Sequence, residues 1–336
     1  MVKLIRKYTH WLHTQWPAGG VEKGPEVNED GTTELKGVRV VGDLTGVPLL
    51  KFSSDTGAKA IRGFLEEPDF KPGAATGDNV RDVAIIGGGV SGHAAAIEAK
   101  KHGLDYALYE ADEPFTTILN FPRKKPIYTY PTDMRPAGDL HFESDVKEDL
   151  LEELRAQQQA HGIEVTQAKV DNITRENGLL TLNFTDGTST RAQRVVVAIG
   201  RTGNFRKLNV PGEGLDKVSN RLIDATEHAG RKVMVVGGGD SAMEAAIALA
   251  EAGAEVSLSY RKKEFSRPKP DNVERLQALQ QTGQLRLLLG TNVQEINDDH
   301  VILCQEDNED CRIANDHVFT LIGREPPLDF FRKSDI

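Results

Sequence analysis

Cysteine is nearly missing from this chain: 336 residues contain two, Cys304 and Cys311. They do not form a C-x-x-C pair, which excludes a dithiol relay of that spacing, and two thiols cannot staple a disulfide scaffold. They flank an acidic QEDNED turn, so a cross-strand disulfide stays open, although reduced structural thiols are the leading reading. Tryptophan (2), methionine (4) and aromatics as a group (6%) are also scarce. No apolar run approaches the roughly 18 residues of a membrane span, and the opening MVKLIRKYTHWLH lacks a signal-peptide core. A basic surplus is absent too: 51 acidic against 41 basic residues give a net charge of −10, which argues against a nucleic-acid surface. His10 and His13 have no cysteine or carboxylate cluster beside them, so no metal site is expected. These absences describe a soluble, cytoplasmic protein, long enough to bury two cores.

What is present is organised around VAIIGGGVSGHAAAIEAKKHGLDYALYE, Val83 to Glu110. An apolar run, a glycine turn, an alanine-rich helical stretch ended by Gly103 and a second apolar run predict strand, turn, helix, strand. Gly87, Gly89 and Gly92 form G-x-G-x-x-G: the first permits the turn, the second lets backbone approach a pyrophosphate, the third lets helix and strand pack closely. The helix N-terminus, with Ser91 in its first turn, faces the phosphates with unpaired N–H groups. Glu110 stands where an acid accepts hydrogen bonds from a ribose.

Val233 to Arg261, VMVVGGGDSAMEAAIALAEAGAEVSLSYR, repeats this unit without a gap. Gly237, Gly239 and Ala242 take the glycine positions, followed by Asp240 and by Ser241, a candidate donor to the pyrophosphate. Tyr260 replaces the acid, and Arg261, Lys262, Lys263 and Arg267 follow. Cations there hold a 2′-phosphate that a carboxylate would repel, so the second site is expected to take NADPH; the bland reading is a solvated basic turn. After each unit come alternating short strands with Asn-Gly and Asp-Gly turns, closing on AIGR with Gly200 and LIGR with Gly323. The expected fold is α/β: two Rossmann-like, three-layer (ββα) dinucleotide-binding domains with β-meanders.

GGGVSG with Glu110, the AIG corner followed by NVPGE, GGGDSA, YRKKEFSR and LIGREP together resemble the low-molecular-weight thioredoxin reductases. The resemblance, over residues 80 to 330, is strongest to their bacillithiol disulfide reductase-like branch, to which ILNFPRKKPIYTYPTDM is also similar. It implies FAD in the first site, NADPH in the second, a flavin ring between the domains and a homodimer. Hydride would pass from NADPH to flavin N5 and on to a low-molecular-weight disulfide, a quinone-like molecule or an electron-carrier protein. The C-x-x-C of thioredoxin reductases is missing: its place reads LIDATEHAGRKVMVV. The alternative is a non-enzymatic flavin- or nucleotide-binding sensor.

DGTTELKGVRVVGDLTGVPLLKFSSDTGAKAIRGF resembles the piece that closes the FAD domain in this family, where it follows the LIG corner. Here it precedes the first glycine strand, which implies a circular permutation and a discontinuous FAD domain; a longer parent chain is compatible with either order. The resemblance implies that Asp43 hydrogen-bonds the flavin's ribityl or pyrophosphate region and that a helix from Ser53 or Ser54 points at the flavin, with Lys51 as an added cation. The expected boundaries are 1–30, an extension anchored by Trp11 and Trp16; 31–65, the closing segment; 66–82, a flexible linker; 83–212, the FAD domain; 213–315, the NADPH domain; and 316–336, a return to the FAD domain. Leu208 to Glu213 and Asp316 to Gly323 are the expected hinges. Tyr128 and Tyr130 read equally as flavin neighbours or as packing residues. Ser144 is expected to cap a helix from Asp145 to His161.

Overall fold

The structure, a computed structural model, describes residues 24–74, 80–201, 205–266, 268–305, 310–325 and 327–336. Residues 1–23, with His10, His13, Trp11 and Trp16, and also Arg267, lie outside the described residues. The chain forms two compact units, one of residues 24–201 with 327–336 and one spanning Phe205–Glu325.

In the first unit, β1 (Val38–Val40) is followed by α1 (Leu50–Leu65), β2 (Val80–Ile86), α2 (Val90–Lys101), β3 (Tyr106–Glu110), α3 (Lys147–Ala160) and β4 (Thr166–Gln167). A meander of β5 (Val170–Glu176), β6 (Leu179–Phe184) and β7 (Ser189–Val197) completes it. Strands β4, β3, β2, β7 and β1 pair in parallel in that order, and β7 also pairs antiparallel with β6. The long β7 thus belongs to both the central sheet and the meander. Asn177 and Gly178 turn β5 into β6 with positive φ at both positions, 50° and 84°, as Asn-Gly chemistry dictates. One sheet face packs against α1, α2 and α3 through Ile61, Phe64, Ile85, Ile97, Leu108 and Leu150. The other buries Val40, Ile86, Ile173, Leu182 and Val197 with Phe331 of the helix Leu328–Lys333. These are the three expected layers.

The segment ahead of the first glycine strand is a full part of this unit. Arg39, with a side chain only 9% exposed, pairs with Glu67 (3.0 Å), and Arg194 pairs with Glu67 (2.7 Å) and Asp69 (2.9 Å). Gln193 donates to the Lys71 carbonyl (3.0 Å), and Gly73 N–H to Asp82 (2.7 Å). The linker expected over 66–82 is therefore tied down along 66–74, with Phe70 buried beneath Arg194. Strand β2 begins at Val80, because Val80 and Arg81 already pair with Arg191 and Ala192.

Two helix starts also differ from expectation. Helix α1 begins at Leu50 with extended Leu49 as its N-cap, so Ser53 and Ser54 lie inside its first turns. Helix α3 begins at Lys147 after Val146 and has no side-chain cap. Ser144 instead donates its hydroxyl (2.6 Å) and its N–H (3.0 Å) to Glu153. A carboxylate that gathers two donors holds that serine more firmly than one helical N–H would.

The second unit repeats the plan. It contains β8 (Val218–Ser219), β9 (Lys232–Val236), α4 (Asp240–Glu251), β10 (Glu255–Tyr260), α5 (Pro270–Gln281), β11 (Leu285–Leu289) and a meander of β12 (Thr291–Ile296), β13 (His300–Gln305) and β14 (Asp310–Ala314). Strand β15 (His317–Thr320) returns to the sheet, whose parallel order is β11-β10-β9-β15-β8. Because β15 pairs with β9, this unit extends to Glu325, and the return expected at 316 falls about ten residues later. Leu208 to Glu213 is no hinge but a closed turn inside the unit: the Glu213 carboxylate accepts from Leu208 N–H (2.6 Å) and Asn209 N–H (2.9 Å). Asp316 to Gly323 is likewise built around β15.

The meander also settles the thiols. Cys304 pairs with Asp310 and Cys311 with Leu303. Partners across an antiparallel ladder share a face and neighbours along a strand do not, so the two cysteines point to opposite faces and stay unlinked.

Beside β15 of the five-stranded sheet the imidazole centroids of His228 and His317 lie 4.8 Å apart, both rings against Phe319. Burial, then the neighbouring His228, Arg231 and Lys217, pushes His317 down to about 4, and burial with Arg231 lowers His228 against the opposing Glu227 and Asp224. Both folded values lie below the unfolded value near 6.5, so the stability tied to the neutral rings is complete above pH 6.5 and is lost as pH falls towards 4. With His317 partly solvated, about 2 kcal/mol is expected to disappear across that window. Urea midpoints between pH 7.5 and 4.5 should show this slope, reduced in His317→Asn; equal slopes in both proteins would refute it.

Candidate functional site

Both glycine turns sit at the carboxyl ends of parallel strands, where open α/β sheets place their ligands. In the first unit Asp43 follows β1, Gly87 to Gly92 follow β2, Glu110 ends β3 and Gly200 follows β7. Gly87 has φ +107°, and a Cβ there would lie 2.4 Å from the Ala198 carbonyl oxygen. A Cβ on Gly92 would come within 1.8 Å of the Gly87 carbonyl oxygen. Strand, turn and helix are packed backbone to backbone. Gly89, the N-cap of α2, is the opposite case: a Cβ on it meets nothing within 4 Å, and no side chain caps the helix. The helix therefore presents uncapped N–H groups across an open glycine face, a donor set that fits a pyrophosphate.

Glu110 is fixed toward this turn. Its Oε2 accepts from Gly88 N–H (2.5 Å) and its Oε1 from Asp112 N–H (2.9 Å). Carboxylate oxygens accept more than one bond each, so both keep capacity for ribose hydroxyls. Asp43, half-buried in a 3-10 turn over Gly42–Thr45, accepts from Ser53 Oγ (2.9 Å), and Gly42 N–H donates to Thr56 Oγ (2.9 Å). Helix α1 then crosses α2 so closely that a Cβ on Gly57 would be 2.2 Å from the Ser91 carbonyl oxygen. Ser91 is buried in this crossing, its hydroxyl against Gly42 rather than toward an open ligand face.

Lys51 differs from expectation. Its ammonium is buried and donates to the carbonyls of Pro131 (2.8 Å) and Thr132 (2.9 Å). Together with Asp55, which accepts from Ala137 N–H (2.9 Å), it fastens the proline-rich loop to α1. Tyr128 and Tyr130 on that loop stack with centroids 6.1 Å apart and remain 67% and 58% exposed. His93, fully buried, stacks on Phe115, and its pKa is lowered by that burial.

The second unit copies this geometry with different chemistry at its rim. Gly237 has φ +152° and a Cβ on it would lie 2.3 Å from the Leu321 carbonyl oxygen, while Gly239, the N-cap of α4, again faces open space. Ala242 is buried in the place of Gly92, Ser241 is exposed, and Gly323 follows β15 with φ +97°. Tyr260 is not a solvent-facing ligand. It is 9% exposed and stacks on Phe265 (5.4 Å, 7° between planes), and its ring covers Gly238, where a Cβ would meet it at 2.0 Å. Arg261 and Lys262 are exposed just beyond. Asp240 has its carboxylate engaged within the protein: its Oδ1 accepts from Lys269 N–H and Asn272 Nδ2, each at 2.8 Å. Phe265 and Asn272 carry no motif signal, which is why sequence reasoning missed them.

The profile of the pyridine nucleotide-disulphide oxidoreductase family matches residues 84–336. The chain belongs to that family. It is 27% identical over 254 residues to the ferredoxin–NADP reductase of Ignicoccus hospitalis, covering 74% of this chain and 78% of that protein. It is 28% identical over 260 residues to the bacilliredoxin reductase Bdr of Bacillus subtilis, with 74% and 78% covered. Among solved structures, the bacillithiol disulfide reductase Bdr of Staphylococcus aureus superposes with a TM-score of 0.65 at 27% identity, covering 76% of this chain and 80% of the other. The protein is accordingly an oxidoreductase with a thioredoxin reductase-like fold. No helix among the described residues is long and apolar enough to cross a membrane.

Proposed function

We propose that the protein is an FAD-dependent, NADPH-oxidising reductase that passes electrons to a low-molecular-weight disulfide, a quinone-like molecule or an electron-carrier protein without a cysteine relay. The observation that carries this is the pair of glycine turns of matching geometry, one rimmed by Glu110 and the other by Arg261 and Lys262. FAD, when bound, supplies the two-electron chemistry between NADPH and the acceptor. The chain's own residues bind and orient. Glu110 receives the adenosine ribose of FAD, the uncapped N-termini of α2 and α4 receive the pyrophosphates, and Arg261 with Lys262 reads the 2′-phosphate of NADPH. Asp43, Gly200 and Gly323 follow the strand ends, Ser241 lies in the first turn of α4, and together they complete the two cradles. On the family resemblance, the working form is a cytoplasmic homodimer.

The closing segment, on this reading, has moved from the end of the fold to its front. The relatives match about three quarters of this chain and of themselves, as expected if the remaining piece occurs in a different order.

A thiol-free route predicts that the double substitution Cys304→Ser, Cys311→Ser keeps the rate of NADPH-dependent flavin reduction and acceptor turnover within about twofold, since the thiols lie on opposite faces of a strand pair. Stopped-flow reduction and steady-state NADPH oxidation would check this. Loss of turnover with flavin reduction intact would show a thiol in the path to the acceptor.

A further inference from the structure

The second glycine turn carries an anion, Asp240, in the first turn of the helix whose N-terminus is to receive a pyrophosphate. A carboxylate there competes with the ligand for the same positive potential, so its presence needs a reason. Its bonds provide one. Oδ1 accepts from Lys269 N–H and Asn272 Nδ2, both at 2.8 Å, and Lys269 and Asn272 are the N-cap and third residue of α5. Asp240 therefore ties the beginning of α5 to the beginning of α4.

Between these attachments runs the turn that bears the cations, and it is fastened at two further points. Gly290 N–H donates to the Lys262 carbonyl (3.1 Å), and Phe265 stacks on Tyr260 over Gly238. Arg261 and Lys262 sit on a strap held at Tyr260–Phe265, at Gly290 and at Asp240. A charged pair recognises phosphate with strength only when its geometry is set beforehand, because long basic side chains on a mobile backbone lose conformational entropy on binding.

We propose that Asp240 is a positioning residue for coenzyme choice: it holds the strap so that Arg261 and Lys262 meet the 2′-phosphate, while its removal leaves the rest of the dinucleotide cradle in place. This rests on the assignment of the second unit to NADPH. Asp240→Asn retains one carbonyl acceptor and should act as a partial rescue; Asp240→Ala retains none.

The probes are 2′,5′-ADP and 5′-ADP, titrated by calorimetry into the full-length protein and into Asp240→Ala, Asp240→Asn and Asn272→Ala. Asp240→Ala should weaken 2′,5′-ADP about tenfold and 5′-ADP no more than about twofold, the loss of two hydrogen bonds that act only through the strap. Asp240→Asn and Asn272→Ala should fall between, and KM for NADPH should rise with kcat unchanged. If wild type prefers 2′,5′-ADP and Asp240→Ala prefers it equally, the positioning role is wrong and the coenzyme assignment stands. If both nucleotides weaken together, Asp240 supports the cradle as a whole and the proposal is overturned. If wild type binds both alike, the NADPH assignment itself falls.

Discussion

Gly89→Ala should abolish FAD retention while leaving the fold intact, and Gly92→Ala, three residues away, should damage the fold itself. The added methyl on Gly89 meets nothing within 4 Å in the protein, and the change from glycine to alanine at an N-cap costs about 1 kcal/mol or less. The space it enters is the one a pyrophosphate needs at the helix N-terminus. The methyl on Gly92 enters a backbone contact, 1.8 Å from the Gly87 carbonyl oxygen and 3.3 Å from Leu108 Cδ1. Forcing β2, its turn and α2 apart costs about 3 kcal/mol. Ala242 occupies the same place in the second unit, which has been built around its methyl from the start. Urea midpoints and FAD content after gel filtration separate the two effects. A Gly89→Ala protein that keeps its flavin would show that the open glycine does not face the cofactor.

Arg261→Ala should raise KM for NADPH about 30-fold and leave KM for NADH within about twofold. A guanidinium on a phosphate contributes a charge-assisted, often bidentate contact worth about 2 kcal/mol, and NADH offers no group to receive it. Adding Lys262→Ala should reduce NADPH further, towards parity with NADH. The strand end that carries Arg261 makes the prediction specific: β10 delivers Tyr260 into the core and Arg261 into solvent. Equal losses on both coenzymes would mean that Arg261 supports the turn instead of reading the phosphate.

Much of the fold was legible because its constraints are written as residue identity. Gly87, Gly92 and Gly237 are glycines because of positive φ or a carbonyl in the place of a Cβ, and such positions announce themselves. The repeat of strand, helix and meander was legible for the same reason. Partnerships that run through backbone atoms were not. Nothing in the sequence marks the Pro131 and Thr132 carbonyls as the destination of Lys51, or Lys269 N–H as that of Asp240. Ser144 was misread because capping preference is local, whereas Glu153 reaches it from nine residues along. The first residues of β2 were misread because the charged Arg81 and Asp82 continue a polar, Gly-rich stretch; the pairing of Val80 and Arg81 comes from β7. Tyr260 stood at the right position but with an unexpected task, filling the space over Gly238.

The central claim is that the first unit holds FAD and the second delivers NADPH electrons to it. The measurement that tests it most directly is the visible spectrum of the purified protein, followed by anaerobic addition of NADPH and, separately, NADH. The account predicts flavin absorbance, present on isolation or after reconstitution with FAD, that bleaches promptly with NADPH and slowly with NADH. A colourless protein that FAD cannot reconstitute, or a bound flavin that stays oxidised with both coenzymes, would contradict it.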